Sequence, residues 1–139
     1  MLTYEASHPR GLGAVRQARR ALIDFAVACG FRDGLLADVE SAIGEALANA
    51  AEHGDRAAAS GFDVSATFAN GRLVIEVKDH GTGFDPAGAL SGAAPDGSGN
   101  RGFGIFLMRI LMDEVAYSDC GSRITLVKQL GDRSAPSAP

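Results

Sequence analysis

Apolar positions along this chain change period several times, and each change marks an element. Over residues 14–29, Val15, Ala18, Leu22, Phe25, Ala26 and Cys29 recur at three- and four-residue steps. That spacing predicts a helix, with Arg16, Arg19 and Arg20 on its other face as solvated charges or a partner surface. Residues 30–34 break the helix, and Asp33 is placed to help start the next. Residues 38–54 are rich in Ala, Leu and Glu and free of Pro, so they predict a second helix. One flank of it carries Val39, Ile43 and Leu47, while Asp38, Ser41, Glu45, Asn49 and Glu52 form a polar stripe.

The period then falls to two. Phe62, Val64, Ala66 and Phe68 alternate with polar residues, as in a half-buried strand. Asn70-Gly71 is a strong hairpin signal, and residues 73–77 supply a second arm rich in Val, Ile and Leu. Residues 105–112 return to helical spacing, and residues 114–117 and 124–130 predict a closing hairpin around 118–122. At the N-terminus Leu2, Tyr4 and Ala6 alternate as in an edge strand, followed by a turn at Gly11 and Gly13. Residues 87–99 have no period and consist largely of Gly, Ala, Ser and Pro, which predicts a mobile loop. These elements make an α+β fold, a two-layer sandwich in which helices cover one face of a mixed, mostly antiparallel sheet. Residues 1–130 form one domain in this reading, and residues 131–139 a disordered tail.

Composition narrows the function classes. The chain has 139 residues, enough to bury a real core, and its 46% hydrophobic and 22% charged content is that of a globular domain. A net charge of −4 with no long basic face argues against direct nucleic-acid binding. Two cysteines, Cys29 and Cys120, suggest neither a disulfide framework nor a thiolate metal site. No apolar run reaches membrane-spanning length and residues 1–10 lack a signal-peptide core, so a cytoplasmic protein without a membrane partner is expected.

Three stretches carry candidate chemistry. Glu45 and Asn49 lie one helical turn apart and offer oxygen ligands suited to a hydrated Mg²⁺ carried by a nucleotide. Their helix also contains Gly44, which costs roughly 1 kcal/mol in a helix interior, and the small residues around Glu45 and Asn49 let a large group approach. In the second stretch, Asp79 ends a strand and is followed by Gly81 and Gly83. A buried Asp there can accept a hydrogen bond from an exocyclic amine while the glycines admit a flat ring; a plain turn uses the same residues. In the third, Gly102 and Gly104 lead into an apolar helix, where free backbone N–H groups and the helix dipole suit phosphate. Residues 97–102 formally fit G-x-G-x-x-G, but a loop precedes them rather than a strand, so a Rossmann site is rejected.

Taken together, Glu45-x-x-x-Asn49-x-x-x-His53, Asp79-x-Gly81-x-Gly83 and Gly102-x-Gly104 resemble the N, G1 and G2 boxes of the GHKL (Bergerat-fold) ATPases. Within that superfamily the chain is similar to the anti-sigma factor serine/threonine-protein kinases, through residues 49–54, 101–105 and 111–115. The resemblance implies ATP and Mg²⁺ as cofactors, with Asn49 as the metal ligand and Glu45 as the base that orients the acceptor serine. It implies Asp79 on the adenine amine, Gly83 lining the base, Gly102 and Gly104 on the phosphates, and Arg101 near the γ-phosphate. His53, Gly81 and Phe103 belong to the same nucleotide-contacting boxes, and Ser122 stands after Gly121 where the family often has Thr.

The implied partners are a sigma factor and a small antagonist protein phosphorylated on serine, with a homodimer as the assembly. The other reading is an ATP-gated interaction module of the same fold without kinase activity. Glu45 favours the kinase, because a pure switch would need Asn49 but no base. The catalytic half of a histidine kinase fits less well, since no His-bearing dimerisation helix precedes residue 14.

Overall fold

A computed structural model describes residues 1–54, 61–80, 101–118 and 122–131, with the side chains of 51–54 and 101–103 outside that description. In chain order these residues form β1 (Leu2–Pro9), α1 (Leu12–Cys29), α2 (Asp33–Gly54), β2 (Gly61–Ala69), β3 (Arg72–Asp79), α3 (Arg101–Leu111), β4 (Glu114–Ser118) and β5 (Arg123–Gln129). The strands make one five-stranded sheet in the order β1-β2-β3-β5-β4. Every pairing among the described residues is antiparallel, so the mixed sheet expected from sequence is antiparallel throughout them.

Period-two alternation places one row of each strand under the helices. Val64 pairs with Val77 and Ala66 with Ile75, while Ile75 and Val77 pair in turn with Leu126 and Ile124. All of these are buried, and they meet Leu22, Ile43, Leu47, Ile105 and Met108 of the helices in one core. The outer row is polar and interlinked. Arg123 Nη1 lies 3.0 Å from Glu76 Oε1, and Asp63 accepts from Ser7 Oγ at 2.8 Å and pairs with His80 Nε2 at 3.1 Å. The His80 hydrogen bond is the main reason the Asp63 carboxyl titrates below its ordinary value.

Local chemistry sets the joints. Asn70 and Gly71 both have positive φ, 54° and 76°, as a two-residue type I′ hairpin requires. Gly30 closes α1 in the left-handed region, and Phe31 N–H reaches back to Ala26 O at 3.1 Å, a Schellman closure that buries Phe31 completely. Gly11 is the N-cap of α1, whereas Gly13 lies inside the helix rather than in the preceding turn. Helix α2 starts at Asp33, five residues before its polar stripe, with Asp33 itself at φ 50°.

A buried lysine ties the helix layer to the sheet. Lys128 of β5 donates to Asp38 Oδ2 at 3.2 Å, near the start of α2, and to Leu111 O at 2.5 Å, the last residue of α3. Its ammonium thus satisfies a carbonyl at a helix C-terminus, where positive charge is favoured. Asp38, the first member of the polar stripe, is spent on this contact.

Gly44 does not open space for a ligand. A Cβ at this position would lie 3.7 Å from Arg19 Nε of α1, an ordinary van der Waals distance. Gly44→Ala should therefore stabilise the fold by about 1 kcal/mol through helix propensity, raising Tm by roughly 2–5 °C. Thermal unfolding followed by circular dichroism tests this, and a lower Tm would show that the backbone at 44 is constrained by more than Arg19.

Candidate functional site

The second half of α2 faces the first turn of α3, and the contact depends on a glycine. A Cβ at Gly104 would fall 2.5 Å from Glu45 Oε1 and 3.5 Å from Glu45 Cδ, closer than side chains tolerate. Gly104 is buried, so the half-buried Glu45 carboxylate occupies the space that any other residue at 104 would fill. Two candidates separated by 59 positions in the sequence (104 − 45) are thereby brought together. One turn beyond Glu45, Asn49 is 5% exposed. Its Nδ2 is buried with no acceptor in hydrogen-bond geometry, which is uncommon for an interior amide.

Opposite this amide stands Tyr117 of β4, a residue the sequence reading treated only as part of a strand. The phenol is largely buried beside the Asn49 side chain. Burial pushes its pKa well above the ordinary tyrosine value, and the neighbouring Asn49 amide opposes that rise only partly. Tyr117 alternates with exposed Ala116 and Ser118 on the helix-facing side of β4. Helix-facing tyrosines need a polar partner, and that was the signal available in the sequence.

A second cluster forms where β3 ends. Asp79 is 4% exposed and its N–H donates to Ser122 O at 2.8 Å. Ser122 is itself 7% exposed, so the strand-end Asp and the Ser at the start of β5 lie side by side, although β4 and the preceding helix separate them in sequence. The next residue, His80, donates its N–H to Gly61 O at 3.0 Å. Gly61 has its own reason to be glycine, since a Cβ there would collide with the His8 carbonyl of β1.

The helical positions of His53, Arg101, Gly102 and Phe103 are described, at the end of α2 and the start of α3, but not their side chains. Gly81 and Gly83, the 87–99 loop, Cys120, Gly121 and most of the tail lie outside the described residues. On the outer side of α1 the exposed Arg16, Arg19 and Arg20 border an open cleft of about 470 Å³ with Ile23 and Asp24.

The donor set fits a nucleotide-borne Mg²⁺ better than a protein cage. Among the described residues no three His, Cys, Asp or Glu side chains gather to hold a metal. The buried Asn49 side chain can offer one amide oxygen, Oδ1, and Mg²⁺ is commonly held by one or two such groups plus substrate phosphates.

The chain belongs to the histidine kinase-like ATPase domain family, whose model matches residues 9–128. It is 33% identical over 122 residues to the serine-protein kinase RsbW of Bacillus licheniformis, covering 81% of this chain and 76% of that protein. Its fold is similar to the crystal structure of the RsbU and RsbW domains of a Mycobacterium tuberculosis protein, with a TM-score of 0.65 over 92% of this chain at 21% identity. The chain spans 32% of that longer polypeptide, and the likeness is one of fold. Family membership supports ATP binding and a kinase-like role. No described helix is long and apolar enough to cross a membrane.

Proposed function

We propose that this chain is an ATP-dependent protein-serine kinase that doubles as an anti-sigma factor in the cytoplasm. It would hold a sigma factor and phosphorylate a small antagonist protein on serine, working as a homodimer. The observation that carries the reading is the half-buried Glu45 carboxylate, packed against Gly104 and one turn before a buried Asn49. A module that only gated binding by ATP would have no use for a base so placed. Similarity to a serine-protein kinase supports the same choice.

In this reading Asn49 holds the nucleotide's metal through Oδ1, and Asp79 accepts the adenine amine with Gly81 and Gly83 beside the ring. Ser122, already bonded through its carbonyl to Asp79 N–H, can offer its hydroxyl to the base. Gly102, Phe103 and Gly104 present the N–H groups of the α3 N-terminus to phosphate oxygens, with Arg101 near the γ-phosphate and His53 among the nucleotide-contacting residues. Mg²⁺, when bound, neutralises phosphate charge and fixes its orientation. Glu45 would accept the proton of the acceptor serine hydroxyl as that oxygen bonds to the γ-phosphorus and the bond to the β–γ bridging oxygen breaks, with ADP as the leaving group.

Calorimetry on Asn49→Ala and Asp79→Asn tests the site. Each variant should lose Mg·ATP binding while keeping the parent's circular dichroism spectrum, and binding as tight as the parent's in either would overturn the assignment. A pull-down in ATP and in ADP, with mass spectrometry of the retained proteins, tests the activity. Phosphoserine should appear on a retained protein only with ATP, and its absence would leave a binding module alone.

A further inference from the structure

The edge strand β4 brings a side chain to the proposed metal ligand, Asn49. Tyr117 pairs with Ile124 of β5 in a row that faces the helices, and this carries its hydroxyl to the Asn49 amide of α2. Neither the Asn49 Nδ2 atom nor the Tyr117 hydroxyl oxygen is accessible to solvent. A carboxamide is planar with two chemically different ends, and a cation accepts only the oxygen. When Oδ1 turns toward a cation, Nδ2 is left on the far side of the amide, where no water serves it and an acceptor has to come from the protein. A buried N–H without an acceptor opposes that orientation, and a phenol oxygen has the lone pairs to relieve it.

We propose that Tyr117 is a positioning residue for the metal ligand: its hydroxyl accepts the Asn49 Nδ2–H and so holds Oδ1 toward the cation. The role rests on the assignment of Asn49 above. Tyr117 touches neither metal nor nucleotide, and it acts only through the amide. Groups of this kind behind a metal ligand typically change metal affinity by about 10- to 100-fold. Strand β4 thereby links the outermost edge of the sheet to the strength of Mg²⁺ coordination.

The test is the gain in ADP affinity that Mg²⁺ provides, measured by calorimetry on the full chain in Mg²⁺ and in EDTA. Tyr117→Phe removes one oxygen atom and preserves the ring. It should leave the affinity in EDTA within about twofold and shrink the Mg²⁺-dependent gain by about 10-fold or more. In the Asn49→Ala background the same substitution should change neither value, because the amide it acts through is gone. An undiminished gain in Tyr117→Phe overturns the proposal while leaving Asn49 as the ligand. Equal losses in Mg²⁺ and EDTA mark a packing role and overturn it too. If the parent shows no Mg²⁺-dependent gain, the assignment of Asn49 falls and the proposal with it.

Discussion

Glu45→Gln should slow phosphorylation of the antagonist protein by about 10²- to 10⁴-fold, the usual contribution of a general base. Mg·ATP affinity should stay within a few-fold of the parent. The two expectations differ because of where the carboxylate sits. Glu45 packs against the first turn of α3, and Asn49 lies one turn further along α2. A group so placed meets the acceptor hydroxyl chiefly in the transition state, so its loss appears in kcat and hardly in ground-state binding. Gln is nearly isosteric and a good helix former, so α2 survives the change. Single-turnover phosphorylation at saturating ATP, beside calorimetry, separates the two quantities. An unchanged rate would remove the base from the mechanism and leave an ATP-gated binding module.

Much of the fold was legible because its signals are local. The Asn70-Gly71 hairpin needs only two residues that accept positive φ, and both adopt it. The buried flank of α2 follows from periodicity, and Val39, Ile43 and Leu47 are fully buried. Asp33 stands at the start of α2, as its placement in the sequence suggests, but the helix runs on through Gly34, which reads as a breaker. Half-buried Leu35 and Leu36 nonetheless pack on the core, and tertiary burial extends the helix through the glycine. Strand order was not legible, since alternation gives a strand's face but not its neighbour. The same limit hid the contact of Asp79 with Ser122, which exists only because β3 and β5 are adjacent. Lys128 and Tyr117 escaped for another reason. Each reads as an amphipathic strand residue, and only partners on α2 and α3 reveal a buried polar tip.

Gly104→Ala should cost the protein its kinase activity without costing it the fold. The three atoms nearest to a Cβ at 104 belong to Glu45: Oε1 at 2.5 Å, Cδ at 3.5 Å and Cβ at 4.0 Å. The closest of them is the free end of a flexible side chain, so the carboxylate can swing aside and leave the backbones of α2 and α3 in place. An off-rotamer Glu costs about 0.5–1.5 kcal/mol, and replacing a helical Gly by Ala returns up to about 1 kcal/mol. The net change in Tm should therefore be within roughly 3 °C. Catalysis is less forgiving, because a displacement of about 1 Å in a reacting group can lower a rate by about 10²-fold. At saturating ATP the variant should lose about that factor or more. The Glu45→Gln/Gly104→Ala double variant should then be hardly slower than Glu45→Gln alone, since both substitutions act on one carboxylate. Fully additive losses would mean that Gly104 acts through the phosphates and not through Glu45. A fall in Tm beyond about 10 °C would mean that the packing of α2 against α3 itself depends on the missing side chain.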